Sequence, residues 1–427
     1  MNRHFLWIGL LSGALSTLTA QSDSISTARP VPDRIILNFT EDVYNSFAVN
    51  WRTDESVPEG FGQIALASDS STNRPDYQMP DILQTVKASS ETLRLGNMSS
   101  STVHHSLIFK GLRPGTLYAY RVGREGNWSE WLQYRMPVPE SDRFSFIYFG
   151  DAQNNVKSMW SRVVRESFRS NPQAEFTLHA GDLINQRNEW EWDEWFYAAG
   201  FIHGMVPVIP VTGNHEHEKT ESGQRELMPN WRQHFTLPEN GPEGSEEVDY
   251  YVDYKHARII VLNSTKLISN PEYRARQLKW VQRVLEDNPL TWTFVSYHHP
   301  MGDRESDKVL LEELKPLFDR YEVDLVMQGH VHSYSRNQHF GEVPRSKGGT
   351  MYTVSVSGPK FYPVNLESGR ELLSYGQNKQ LFQVVTVKGN HLDYKAYTVT
   401  GKLFDHFEMV KEPGGSNRII NHDTAED

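Results

Sequence analysis

The sequence predicts two consecutive units, an all-β sandwich followed by a layered domain of alternating strands and helices. Three observations carry this. Short β-branched and aromatic runs fill the chain from Arg34 to about Pro137, strands alternate with helical stretches after it, and five polar clusters fall where the later strands end. The 427 residues are also too many for one small core.

Composition bounds the function. Hydrophobic residues make up 38% and charged residues 23%, the balance of a soluble globular chain. A net charge of −11 argues against non-specific binding to nucleic acid or to an anionic membrane. It does not exclude small anionic substrates, because a local cation overrides the global sign. There is no cysteine, so disulfides and lipidated cysteines are excluded, and a metal would have to be held by histidine, carboxylate and amide groups.

Met1 to Ala20 reads as a secretory signal peptide. Arg3 and His4 precede the apolar "FLWIGLLSGAL", and "TLTAQS" places a small residue, Ala20, at the cleavage point. The apolar run is short for a membrane anchor. The expected location is therefore outside the cytoplasm, periplasmic or secreted, without a transmembrane anchor.

The sandwich rests on "RIILNF", "SFAVNWRT", "GQIALAS", "TLRLG", "HHSLIFKGL" and "LYAYRVG", none of which has a helical period. Their aromatic residues are read as core. "RMPVPESDR" reads as a linker. The strand "FSFIYFGD" follows it, then a helical stretch with Met159, Val163, Val164 and Phe168 on one face, stopped near Pro172. "EFTLHAGD", the helix-like "NEWEWDEWFYAAGFI" and the strand "VPVIPVTGN" continue the alternation. Further strands are expected at "RIIVLNS", "LTWTFVSYHH" and "VDLVMQGH", with helices around Arg276 to Glu286 and Lys308 to Tyr321. "TMYTVSVSG", "LFQVVTVKG" and "LDYKAYTV" return to strand, and the polar tail from Glu412 is expected to be loose.

The five clusters are "GDAQ" with Asp151, "GDLIN" with Asp182, "GNHEH" with Asn214 and His215, "HHP" with His298, and "GHVH" with His330 and His332. Singly, each reads as a turn. Together they place two carboxylates, an amide and several imidazoles beyond strand ends, where loops of open α/β sheets converge. Two divalent cations close together need such donors, with one carboxylate between them to offset their repulsion. His330 and His332, two residues apart, either share a side of an extended segment or are aimed by a turn at separate metals.

The order of these clusters resembles that of the calcineurin-like metallophosphoesterases, and the two-part layout is similar to that of purple acid phosphatases. "LRPGTLYAYRVG" looks like the end of a fibronectin type III module, and "WRQHFTLPENGPEG", "DYYVDYKHARIIVLNS", "GHVHSYSR" and "TGKLFDHFEMV" extend the likeness from Arg34 to about Val410. The resemblance implies a fibronectin-like domain over 30–137, a catalytic domain over 143–411 and a polar tail over 412–427. It implies an α+β layered sandwich, two central mixed sheets flanked by helices. Its cofactors would be two divalent metal ions, Fe, Mn or Zn. Asp182 would bridge them, Asp151 and His332 would hold the first, and Asn214, His298 and His330 would hold the second. His215 would be the catalytic acid or substrate-orienting group. The family's His-x-Pro pattern selects His298 through Pro300 and leaves His299 as a cavity wall. His299 and Arg304 are the candidate substrate contacts.

Two positions depart from the family. Asn185 stands where purple acid phosphatases carry the tyrosine that colours ferric iron, so no purple band is expected. Gln153 stands where many relatives carry a histidine, and is either a weak ligand or a hydrogen-bond partner of metal-bound water. The expected activity is hydrolysis of phosphate monoesters of small substrates by a metal-bound hydroxide. A phosphodiesterase or nucleotide hydrolase of the same fold is the alternative. An exported binding protein with weakened catalysis, suggested by Asn185, is the alternative of another class.

Overall fold

A computed structural model describes residues 27–69, 81–94, 101–221, 223–301, 308–340, 349–366, 370–414 and 416–424. The signal segment, Met1 to Ala20, and Arg304 lie outside the described residues.

The N-terminal unit is a two-sheet sandwich, as its short strands predict. Strands Asp33–Asn38, Phe47–Asp54, Thr102–Phe109 and Ser89–Leu93 form one face; Phe61–Leu66, Ile82–Lys87 and Leu117–Arg124 anchor the other. Leu37, Phe47, Val49, Trp51, Ile64, Leu107, Phe109 and Tyr120 fill the space between them. Alternation in these strands puts one face inward and so makes two layers.

This unit is not joined to the next by a linker alone. Asn38 pairs in parallel with Val208, which makes the first face continuous with a sheet of eleven strands. Arg34 reaches Glu189 at 2.6 Å and Asp193 at 2.7 Å, both on the helix Glu189–Ala199, and Arg52 reaches Asp193 at 2.8 Å. Tyr120 donates its hydroxyl to the Gly204 carbonyl. The sandwich is thus welded to the strand Val208–Pro210, which leads into Gly213 and Asn214.

The larger unit has two mixed sheets face to face. Arg143–Phe149, Phe176–His179 and Val208–Pro210 run parallel in the first; Ala257–Val261, Trp292–Ser296 and Leu325–Gln328 run parallel in the second. Phe146, Phe176, Phe294, Leu325, Met327 and Leu381 fill the core between the sheets. Helices Pro271–Glu286 and Lys308–Arg320 cover the outer face of the second sheet through Trp280, Val281, Leu310, Leu314 and Phe318. Ser161–Ser170 is helical as expected, but Val156–Trp160 before it is a wider π turn.

The tail is where the structure departs most from the sequence reading. Asn417–His422 is a strand, paired with Leu403–Lys411 at the edge of the eleven-stranded sheet. Its polar composition suits an edge with one face toward solvent, and the same composition is typical of loose chain.

Candidate metal centre

The parallel strands of both sheets end on one side of the core, and the polar clusters lie just past those ends. Backbone conformation explains the local sequence. Asp151, Asp182, His330 and His332 have φ of 35°, 52°, 73° and 54°, the left-handed region that L-residues avoid. Such strain, typically about 1–3 kcal/mol per residue, persists only where surrounding structure enforces it and gathers at functional sites. The glycines of the motifs have a steric reason. A Cβ on Gly213 would stand 2.1 Å from Asp182 Oδ1, and one on Gly329 would stand 2.4 Å from Asp151 Oδ2. A Cβ on Gly181 would stand 2.6 Å from His298 Nδ1.

The geometry brings most of the predicted residues together. His298 Nε2 lies 3.0 Å from Asp182 Oδ2, 4.0 Å from Asp151 Oδ1 and 3.2 Å from His330 Nδ1. His332 Nε2 lies 3.8 Å from Asp151 Oδ1. The main-chain N–H of His330 donates to Asp151 Oδ2 at 2.6 Å, and that of His215 donates to Asp182 Oδ1 at 2.9 Å. Gln153 Nε2 lies 2.9 Å from Asp182 Oδ2 and 3.1 Å from His332 Nε2. Asn214 sits between Gly213 and His215, both of which approach Asp182.

His298 donates Nδ1–H to the Ala180 carbonyl at 2.8 Å, which leaves the Nε2 lone pair facing the carboxylates. A lone pair against two carboxylates is repulsive unless positive charge lies between them. Burial alone would lower the His298 pKa, but Asp182 and Asp151 outweigh it and push it up to about 9. Burial raises Asp151, and the charge of Asp182 adds to this.

The donor set fits cations. Asp151 Oδ1, Gln153 Oε1 and Asn214 Oδ1 are buried side-chain oxygens with no hydrogen-bond partner. Buried polar atoms are ordinarily satisfied, so the unpartnered oxygens of Asp151 and Asn214 beside three converging imidazoles indicate a missing acceptor of lone pairs. Gln153 turns its amide nitrogen, not this oxygen, toward Asp182 and His332. Asp182, His298 and His330 each offer one ligand atom, and these atoms lie within 4.8 Å of one another.

The remaining predicted residues divide. His215 is about a quarter exposed; its Nδ1 faces the Asn185 carbonyl and its Nε2 lies 3.9 Å from Asp182 Oδ2. Asn185 reaches this network through its main chain. His299 is 8% exposed, hydrogen-bonds Ser264 Oγ through Nδ1 at 2.9 Å and packs against the His330 ring at 4.3 Å. It is a wall of the site.

Two contributors are not apparent from the sequence. Glu216 is buried and accepts main-chain N–H groups from Asp182 at 3.0 Å, Leu183 at 2.9 Å and Gly213 at 2.7 Å, holding two ligand loops at once. It stands within "GNHEH", where nothing in the spacing separates it from a solvated glutamate. "GPKFYP" follows the strand Met351–Val354 in the same strand-end pattern; Tyr362 meets the His332 ring edge-on at 5.1 Å.

Comparison with known proteins agrees with this architecture. The family description "Calcineurin-like phosphoesterase" matches residues 144–334, and "Purple acid Phosphatase, N-terminal domain" matches residues 32–136. The chain carries a calcineurin-like phosphoesterase domain behind a purple acid phosphatase N-terminal domain. A purple acid phosphatase of soybean (Glycine max) is 28% identical over 272 residues, 59% of this chain and 56% of the relative. The Fe(3+)-Zn(2+) purple acid phosphatase 12 of Arabidopsis thaliana is 27% identical over 281 residues, 60% of this chain and 57% of the relative. The chain thus spans less than two thirds of the length of these curated relatives. The structure of a purple acid phosphatase from yellow lupin (Lupinus luteus) superposes with a TM-score of 0.70 at 17% identity, covering 88% of this chain and 74% of that one. At that identity the likeness concerns the fold.

Proposed function

We propose that this chain is an exported, dinuclear metal-dependent phosphoesterase that hydrolyses phosphate monoesters of small molecules. The observation that supports the reading is the pair of partnerless buried oxygens of Asp151 and Asn214 around converging imidazoles. In this reading Asp182 bridges two cations, Asp151 and His332 hold one, and Asn214, His298 and His330 hold the other. Two divalent cations there supply Lewis acidity toward phosphate oxygens and acidify water. The side-chain amide of Gln153, turned over, would present its oxygen between Asp182 and His332 and join the ligand set.

The chain's own residues supply positioning and proton transfer. The Asn185 carbonyl can only accept, so His215 carries its proton on Nδ1 there and turns Nε2 toward the site. Protonated at Nε2, His215 is placed to donate to a departing alkoxide. Glu216 fixes the Asp182 and Asn214 loops, and the His299 and Tyr362 rings form walls. The Met1–Ala20 segment is the basis for export; among the described residues no helix is long and apolar enough to cross a membrane.

The test is hydrolysis of p-nitrophenyl phosphate against bis-p-nitrophenyl phosphate by protein reconstituted with Mn²⁺, Fe²⁺ or Zn²⁺, beside His298→Ala. Metal-dependent monoester turnover lost in the variant is the expected result. Preference for the diester would replace monoesterase by diesterase. No turnover of either ester with any metal would favour the exported binding protein.

A further inference from the structure

The outward face of the C-terminal sheet carries a second group of metal-ligating side chains that the hydrolytic site does not use. His406 and His422 face each other across neighbouring strands, and Glu408 is two residues from His406, on the same face. Asp393 stands opposite Glu408 on the next strand, with His391 two residues before it. The opposite side of Leu403–Lys411 turns Asp405, Phe407 and Met409 into the core, so these histidines are not core packing.

We propose that His406, Glu408 and His422 form a separate, mononuclear site for a Zn²⁺-type divalent cation that pins the C-terminal edge strand. Each offers one ligand atom, and these atoms lie within 4.8 Å of one another. His422 Nε2 is 3.0 Å and His406 Nε2 is 3.9 Å from Glu408 Oε1, so both rings aim at one carboxylate oxygen. Their rings stack at 4.0 Å with 11° between planes, so both imidazoles are held side by side next to Glu408. His391 Nε2 approaches the other oxygen, Glu408 Oε2, at 2.8 Å and stands ready as a fourth donor.

Asp393 plays a different part. Its Oδ2 is taken by Lys395 at 2.6 Å, and its Oδ1 accepts from His406 Nε2 at 2.8 Å, a hydrogen bond that a cation on His406 would replace. Two imidazoles with one carboxylate suit borderline cations such as Zn²⁺ or Co²⁺ better than Mg²⁺ or Ca²⁺. The site is half-exposed, which leaves a path of entry.

The consequence is mechanical. Among the described residues Asn417–His422 is the last strand of the eleven-stranded sheet and pairs on one side only. A cation shared by Glu408, His406 and His422 would tie that strand to its neighbour by a bond that survives fraying of the ladder.

The experiment uses the full chain, stripped with chelator and given a few equivalents of Zn²⁺ or Co²⁺, with metal counted after equilibrium dialysis. Wild type is expected to retain one equivalent more than His406→Ala/His422→Ala, whose hydrolysis of p-nitrophenyl phosphate is unchanged. Glu408→Gln, which keeps the shape of the side chain, is expected to weaken the extra equivalent at least tenfold. Amide exchange at 417–422 should slow with Zn²⁺ in wild type and not in the variants. Equal metal counts in wild type and variants, or exchange at 417–422 indifferent to Zn²⁺, would overturn the proposal. Because the reading is a difference in stoichiometry, it stands or falls whether or not the chain hydrolyses phosphate esters.

Discussion

Two clusters of histidine and carboxylate in this chain are built in opposite ways. Around Asp182 the donors come from five loops of two sheets, and all but the His298 loop bend through a left-handed residue or hold a glycine whose place a side chain would foul. Around Glu408 the donors come from neighbouring strands in plain antiparallel register, with no unusual backbone. The first cluster is buried, carries unpartnered oxygens and depends on the whole core. The second is half-exposed, internally hydrogen-bonded and needs only a few strands. The contrast shows that strain and unsatisfied polarity mark the site the fold was shaped around, whereas register alone can assemble a secondary one.

The sharpest break of this comparison is Asp182→Ala. If Asp182 stands between two cations as proposed, its loss should remove several kcal/mol of transition-state stabilisation, roughly a thousandfold in turnover of p-nitrophenyl phosphate. Metal content should fall by the active-centre cations while the Zn²⁺ equivalent at His406 and His422 remains. Retained turnover would remove Asp182 from the centre.

Glu216→Gln tests whether the buried cluster owes its geometry to a residue that touches no ligand atom of its own. A glutamine side chain accepts through one oxygen only, so the Asp182 and Gly213 loops lose part of their anchorage. Metal affinity should drop about 10- to 100-fold, measured by competition with a chelator. An unchanged affinity would mean the loops hold themselves.

Gly329→Ala addresses the glycine argument directly. The new Cβ must displace the Asp151 carboxylate or the Ala180 carbonyl, and overpacking of this kind costs about 1–3 kcal/mol. Thermal unfolding should shift down and metal content should fall with it. The equivalent substitution at Gly414, where a Cβ meets nothing within 4 Å, lacks the packing cost, although its φ of 103° still disfavours a side chain. It should leave the metal centre intact.

Acid should separate the buried unit from the exposed face. Burial, reinforced by Arg34, lowers His104 to about 3, and burial lowers His179 to about 3; burial also holds His203 and His234 well below the usual value. These rings are neutral in the folded chain and gain protons more readily when it unfolds. Their contribution is complete above about pH 6.5 and is lost as pH falls toward 3, by roughly 1.4 kcal/mol per unit for each group. Urea unfolding of metal-free protein at pH 7 and pH 5 should show it. Equal midpoints would mean the rings are hydrated or paired in the fold. His391→Ala, on the solvent-facing sheet, should change stability by no more than about 0.5 kcal/mol.

Much of the candidate metal centre is legible in the amino-acid sequence. The Gly-Asp, Gly-Asn-His, His-x-Pro and Gly-His-x-His clusters each follow an apolar strand, and periodicity locates strand ends well enough to suggest convergence. Asn417–His422 is not legible, because an edge strand with one wet face has the composition of a loop. Glu216 is hidden too, because a buried carboxylate that accepts main-chain N–H groups has no spacing signature. The joining of Asn38 to Val208 is equally invisible, since a parallel pair 170 residues apart leaves no local pattern.

By itself the sequence determined the two units, the order of the strands' polar ends and the candidate donors, because these are local properties of periodicity and side-chain chemistry. Only the tertiary structure decided which candidate donors meet, that Glu216 holds two loops, that Gln153 lies between Asp182 and His332, and that the sandwich shares a sheet with the larger unit. It also decided that His406 and His422 stand opposite one another. The physical reason is common to all of them. Pairing register and loop convergence are set by burial of the whole core, a quantity no short stretch of chain contains.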